Sequence, residues 1–205
     1  MSSMKAYASL LALERPILTT AEVSSRLGIA RSSATRLLHR LTRVGLAARI
    51  RRGIWALSKR TCPYQVVEYL TAPYPSYVSM WTALREHGLI SQIPNIIYVV
   101  SLDRSKKIAT SLGTFEIHHI DPRLFGGFEQ RNLAPIAKPE KALFDTVYLL
   151  ATRGERSMKL PELELPKDFA KDEVFRWVDK ISSGRRRSFT RRHLEQILDR
   201  AGAVA

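Results

Sequence analysis

The sequence predicts an α+β chain: an N-terminal winged helix-turn-helix over residues 1–60, then a mixed α/β domain over residues 61–205 that ends in a basic helical tail. Three observations predict it. Between Thr19 and Leu57 two short helical patterns, a glycine turn and a basic hairpin pattern follow one another directly. Beyond Pro63, apolar runs of strand length alternate with helical ones. The positive charge is also unevenly divided: residues 1–60 hold 12 Lys+Arg against 2 Asp+Glu, residues 61–180 hold 15 against 15, and residues 181–205 hold 6 against 2, so the net charge of +14 falls as +10, 0 and +4. A nonspecifically basic chain spreads its excess, whereas a partner that is a polyanion concentrates it on one surface.

Met4, Tyr7, Ala8, Leu10 and Leu11 predict a first helix that completes a three-helix core and ends near Pro16. Thr19 and Glu22 have the spacing of a capping box, in which each side chain satisfies a backbone donor of the other, and Leu18 and Val23 are placed for a hydrophobic staple. A second helix is therefore expected over Thr20–Leu27. Gly28 follows at the position where positive φ costs glycine nothing, so the chain can turn sharply.

A third helix begins near Arg31. Ala34, Leu37, Leu38, Leu41 and Val44 recur at i, i+3, i+4, i+7 and i+10, which is one apolar stripe facing a core. The other side carries Arg31, Ser32, Ser33, Arg36, Arg40 and Arg43. A helix that reads duplex DNA needs hydrogen-bonding side chains in its first turns, where it enters the major groove, and cations further along to hold phosphates. Ser32, Ser33, Thr35 and Arg36 suit the first requirement, Arg40 and Arg43 the second; the alternative is a solvated basic face on a structural helix. Ala30 stands where Ser or Thr would cap the helix, at a cost of about 1 kcal/mol. After Gly45, residues 46–57 alternate on both sides of Arg52-Gly53, which reads as a hairpin. Arg49, Arg51 and Arg52 cluster near its tip, where a wing meets DNA backbone or minor groove; the alternative is an edge kept charged against aggregation.

With 205 residues and 45% hydrophobic content the chain can bury a real core. It has no apolar run of 18 residues and no signal-peptide pattern, so the expected compartment is the cytoplasm. The single Cys62 excludes an intramolecular disulfide and a cysteine-based zinc site.

The domain boundary is expected in Ser58–Pro63, where the charge balance changes. Gln65–Leu70 reads as a short helix and Val78–His87 as a longer one closed by Gly88. The apolar run from Asn95 to Leu102 reads as a strand buried on both faces, Asp103–Lys107 as a polar turn, and Thr114–Ile120 and Leu133–Ala137 as further strands. Pro139 starts a helix expected to reach about Thr152. Near the C-terminus Arg185, Arg186 and Arg187 precede a helix expected from Thr190 to Ala201. That run either extends a DNA footprint, together with Lys106 and Lys107, or is a solvated linker.

The ordered string Trp81-Thr82-Ala83-Leu84, His87-Gly88-Leu89, Gln92-Ile93-Pro94-Asn95 leading into Ile96–Val100, and Pro139-Glu140-Lys141-Ala142-Leu143-Phe144-Asp145 resembles the AbiEi antitoxins of type IV toxin–antitoxin (abortive infection, phage defence) systems. The resemblance spans about Thr19 to Leu150. Lys138 departs from the small hydroxyl residue usual before Pro-Glu-Lys-Ala. What the resemblance implies is a repressor of its own operon that binds double-stranded operator DNA at inverted repeats. Its C-terminal domain would counteract a nucleotidyltransferase-like toxin without a stable complex. It implies no catalytic residues and no cofactor.

Other constellations are weaker. His119 and Asp121 can share a strand face, but two ligands do not make a metal site. Asp121, Glu140 and Asp145 have no spacing that gathers them around Mg²⁺, and the Glu140-Lys141 pair fits a helix start. Gly126-Gly127 lacks the Gly and Lys pattern of a phosphate loop. The expectation is a protein that is not an enzyme. Two alternatives remain: a DNA-directed, nuclease-like enzyme, which requires convergent carboxylates, and a protein-docking adaptor, which requires an exposed apolar patch.

Overall fold

The computed structural model describes residues 3–57, 61–131, 134–152 and 162–202. The chain is mixed α+β, with an N-terminal helical region and a C-terminal sheet. It divides into two compact units: residues 1–69 with 109–113, and residues 70–108 with 114–205. The division falls at 69/70, beyond the expected 60/61; Ser58, Lys59 and Arg60, where the boundary was expected, lie outside the described residues.

In the first unit α1 (Ser3–Leu11), α2 (Thr20–Leu27) and α3 (Arg31–Arg43) accompany a three-stranded antiparallel sheet of β1 (Ile17–Thr19), β2 (Ala48–Arg51) and β3 (Ile54–Ala56), ordered β1-β3-β2. The capping box at α2 is present: Thr19 Oγ1 accepts from the Glu22 N–H at 3.1 Å, and Glu22 Oε2 accepts from the Thr19 N–H at 2.6 Å. Gly28 closes the helix in the left-handed region, at φ 62°. Leu18 and Val23 are both fully buried. Ala30 makes no side-chain cap. The hairpin turns at Gly53, φ 80°.

α1, β1, α2, α3 and β3 share one core built on Ala6, Leu10, Leu18, Val23, Leu37, Leu38, Leu41 and Trp55. Trp55 Nε1 donates to Thr20 Oγ1 at 2.9 Å, so the buried indole is satisfied. Arg15 donates to Glu22 and to the Tyr69 hydroxyl, and that hydroxyl donates to Ile17 O at 2.9 Å. Ser111, within this unit, donates through its N–H to Ile50 O and through Oγ to Arg49 O. Three readings change here. α1 stops at Leu11, short of Pro16, because the next residues turn toward β1; Met4 and Leu11 are exposed while Ala6 and Leu10 face the core. β1, unread in the sequence, exists through its pairing with β3. Val44 is 69% exposed, because α3 ends at Arg43 and the helical period ends with it.

A six-stranded sheet, in the second unit apart from residues 109–113 at the β6–β7 turn, has the order β6-β7-β5-β4-β9-β8, formed by β4 (Ser76–Val78), β5 (Ile97–Ser101), β6 (Lys106–Thr110), β7 (Gly113–His119), β8 (Phe128–Arg131) and β9 (Ala134–Ala137). β4 runs antiparallel to β5 and parallel to β9, and β5 runs parallel to β7. A 3₁₀ turn at Pro63–Val66 in the first unit leads into α4 (Val67–Thr71), across which the division falls, and the remaining helices are α5 (Met80–Glu86), α6 (Pro139–Thr152), α7 (Lys171–Asp179) and α8 (Gly184–Gly202). α6 packs against α5, α7 and α8. β5 is buried at Val99–Ser101 and half-buried at Ile97 and Tyr98.

Lys106 and Lys107, read as part of a polar turn, begin β6, because a strand neighbour completes the ladder that local polarity argued against. α8 starts at Gly184, so Arg185–Arg187 are helical and no linker precedes Thr190. β8 and α7 had no clear signal, and Leu133 lies outside the described residues. Among the described residues no helix is long and apolar enough to cross a membrane.

Candidate nucleic-acid interface

α3 is two-sided. Ala34, Leu37, Leu38 and Leu41 are buried, whereas Arg31, Ser32, Arg36, Arg40 and Arg43 are exposed and Ser33 and Thr35 half-buried. In the hairpin Ile50, Trp55 and Ala56 face inward, and Arg49, Arg51 and Arg52 face solvent. The Arg49 guanidinium lies 5.8 Å from the Trp55 ring centroid, where the ring face attracts a cation. A register shift between Arg49 and Arg51 marks a bulge that twists the strand near its tip. Residues 23–67 contain no Asp or Glu, so no carboxylate within this stretch offsets the seven arginines of α3 and the hairpin.

Arg31, Ser32, Ser33, Thr35, Arg36, Arg40 and Arg43 thus come from one helix, and Arg49, Arg51 and Arg52 from one hairpin of the same unit. Two side chains have local duties. Thr35 Oγ1 donates to Arg31 O at 2.9 Å, which uses its proton inside the helix, and Arg36 Nη2 donates to Ser33 Oγ at 3.2 Å.

The second unit holds the secondary candidates. Lys106 Nζ is ion-paired with Asp103, whose carboxyl the hydrogen bond from Lys106 holds below the usual carboxylate range. Lys107 and Arg185–Arg187 are exposed.

The same unit contains a buried polar cluster that the sequence did not single out. Asp145, fully buried on α6, accepts from Lys141 Nζ, from Ser79 Oγ at 2.7 Å and from the Tyr77 hydroxyl at 3.0 Å. The Lys141 ammonium lies 4.6 Å from the Trp177 ring centroid, 4.9 Å from Phe144 and 5.6 Å from Tyr77. Burial pushes the Asp145 carboxyl up against the opposing pull of Lys141, and burial pushes the Lys141 ammonium down against the attraction of Asp145. Burial, followed by the Asp145 charge, raises the Tyr77 hydroxyl well above its ordinary value. The i,i+4 spacing of Lys141 and Asp145 signals an ion pair, and nothing local signals its burial. Lys141 therefore serves the core rather than the helix start.

The carboxylates considered for a metal have separate tasks. Asp121 Oδ1 accepts from the Arg123 N–H, Glu140 Oε1 accepts from the Ala170 N–H, and Asp145 belongs to the buried cluster. His118 is buried with Nε2 3.5 Å from Glu116, and the His119 N–H donates to Ser105 Oγ. Among the described residues no group of three or more His, Cys, Asp or Glu could hold a metal ion.

Residues 5–58, about a quarter of the chain, match the family model described as a transcriptional regulator, AbiEi antitoxin. The string from Trp81 to Asp145 lies beyond the matched residues. No curated protein matches the chain.

Proposed function

We propose that the first unit is a winged helix-turn-helix that binds double-stranded DNA, with α2, the Gly28 turn and α3 as the helix-turn-helix and the β2–β3 hairpin as the wing. The observation that carries this reading is the exposed arginine face of α3 beside the exposed arginines of the hairpin, within a stretch free of carboxylates. Ser32, Thr35 and Arg36 stand on the first turns, within reach of base edges in a major groove, and Ser33 lies beside Arg36 on the same turns. Arg31, Arg40, Arg43, Arg49, Arg51 and Arg52 neutralise phosphates, and Lys107 and Arg185–Arg187 are secondary candidates.

The biological role proposed is that of an antitoxin which represses its own operon at inverted repeats in the cytoplasm. It would counteract a nucleotidyltransferase-like toxin without a stable complex. The family match supports regulation and the antitoxin role; the separate tasks of Asp121, Glu140 and Asp145 favour this reading over a nuclease.

The test is fluorescence anisotropy of a duplex taken from upstream of the gene, titrated at several salt concentrations. If five or six phosphates are neutralised, log K against log salt falls with a slope of about −5. A slope near zero removes the DNA-binding reading. Co-expression of the full chain, with and without its α3 arginines, beside a nucleotidyltransferase-like protein encoded next to it tests the antitoxin role separately, and failure to relieve toxicity in both forms removes that role.

A further inference from the structure

Among the described residues Arg36 is the α3 arginine whose guanidinium is held by another side chain. Its Nη2 donates to Ser33 Oγ at 3.2 Å, whereas Arg31, Arg40 and Arg43 extend from the same face with no such bond. Ser33 lies three residues earlier, where helix geometry places both side chains on one face. It is half-buried and short, so its oxygen is a fixed point; Arg36 is long and exposed, and free rotation about its stem would have to be surrendered on binding. The bond uses one of five guanidinium donors and leaves a planar fork directed from the first two turns of the helix.

A donor fork matches the two acceptors O6 and N7 that guanine alone presents side by side in the major groove. Thr35 cannot supply a competing donor, because its hydroxyl proton is engaged with Arg31 O. We infer that Ser33 is a positioning residue for Arg36, and that the pair makes α3 select a guanine within its DNA site. The inference rests on the DNA-reading assignment above and specifies what that site prefers.

The experiment selects bound duplexes from a pool with a randomised central stretch, using the full-length wild type and the variants Arg36→Ala, Ser33→Ala and Ser33→Thr, and sequences what each retains. The wild type enriches a motif containing a guanine whose preference disappears in Arg36→Ala. Ser33→Ala lowers preference for that same guanine by about three- to tenfold, the worth of one oriented hydrogen bond, while leaving the other positions and the salt slope unchanged. Ser33→Thr keeps a hydroxyl at the same site and retains the preference. A weakened helix cannot explain the loss, since Ala is the better helix former.

Full guanine preference in Ser33→Ala, or a guanine preference that survives Arg36→Ala, overturns the inference while leaving DNA reading intact. A wild type that enriches no motif and binds without salt dependence overturns both.

Discussion

Lys141 and Asp145 stand one helical turn apart on α6 and form an ion pair sealed from solvent, at 1% and 0% side-chain exposure. The cost of removing both charges from water is met by the Tyr77 and Ser79 hydroxyls on Asp145 and by three aromatic rings around the ammonium. Removing one partner strands the other. Lys141→Ala should therefore cost about 3 to 5 kcal/mol in urea unfolding, whereas the double variant Lys141→Met/Asp145→Leu should recover most of that loss. A double variant no more stable than the single one would mean that the charges themselves hold the second unit together.

The same pair sets a pH dependence whose sign follows from burial. Asp145 is raised, so between about pH 4, where an unfolded aspartate ionises, and its higher native value, the folded chain binds the extra proton and stability falls as pH rises. Lys141 is lowered, so between its native value and about pH 10.4 the unfolded chain binds the extra proton and stability rises with pH. Measured against Lys141→Met/Asp145→Leu, which cancels the other groups, the wild type should be least favoured near neutral pH. It should gain relative stability toward about pH 4.5 and about pH 9.5. A difference that stays constant across that range would contradict the shifts.

Gly127 holds positive φ, and a Cβ there would lie 2.8 Å from Trp177 Cζ2 and 3.0 Å from Lys141 Cγ. Gly28 also has positive φ but meets nothing within 4 Å. Gly127→Ala should thus cost about 2 to 4 kcal/mol, combining backbone strain with overpacking, and Gly28→Ala only about 1 to 2. Thermal melting of both variants checks the order. Equal losses would show that the ring and the lysine stem give way at little cost.

On the proposed DNA reading, Arg36 and Arg51 should fail differently. Arg36, on the first two turns of α3, can reach base edges; Arg51, at the end of β2, more readily meets phosphate or a narrow minor groove. Arg36→Ala should cost about 1 to 3 kcal/mol on the specific site and little on random duplex, whereas Arg51→Ala should weaken both and reduce the salt slope by about 1. Both side chains are exposed, so melting should be unchanged. Equal losses on specific and random DNA for Arg36→Ala would exclude α3 as the reader.

Features that depend on residues a few positions apart were legible in the sequence. Thr19 and Glu22 made the capping box, Gly28 supplied the left-handed turn, the spacing of Ala34, Leu37, Leu38 and Leu41 assigned the faces of α3, and Arg52-Gly53 turned the hairpin. Because those spacings also decide which arginines point outward, most of the candidate interface was legible in the sequence. Tertiary structure decided what depends on distant partners. β1 is a strand because β3 lies beside it, Lys106 is a strand residue because β7 neighbours it, and Val44 is exposed because its helix stops. Burial of Lys141 requires β4, the Gly126-Gly127 turn, α6 and α7 to converge from positions up to a hundred residues apart in the chain. Local spacing can place a lysine and an aspartate on one helical face; only the packing of remote aromatic rings and hydroxyls around them determines whether that face meets water or the core.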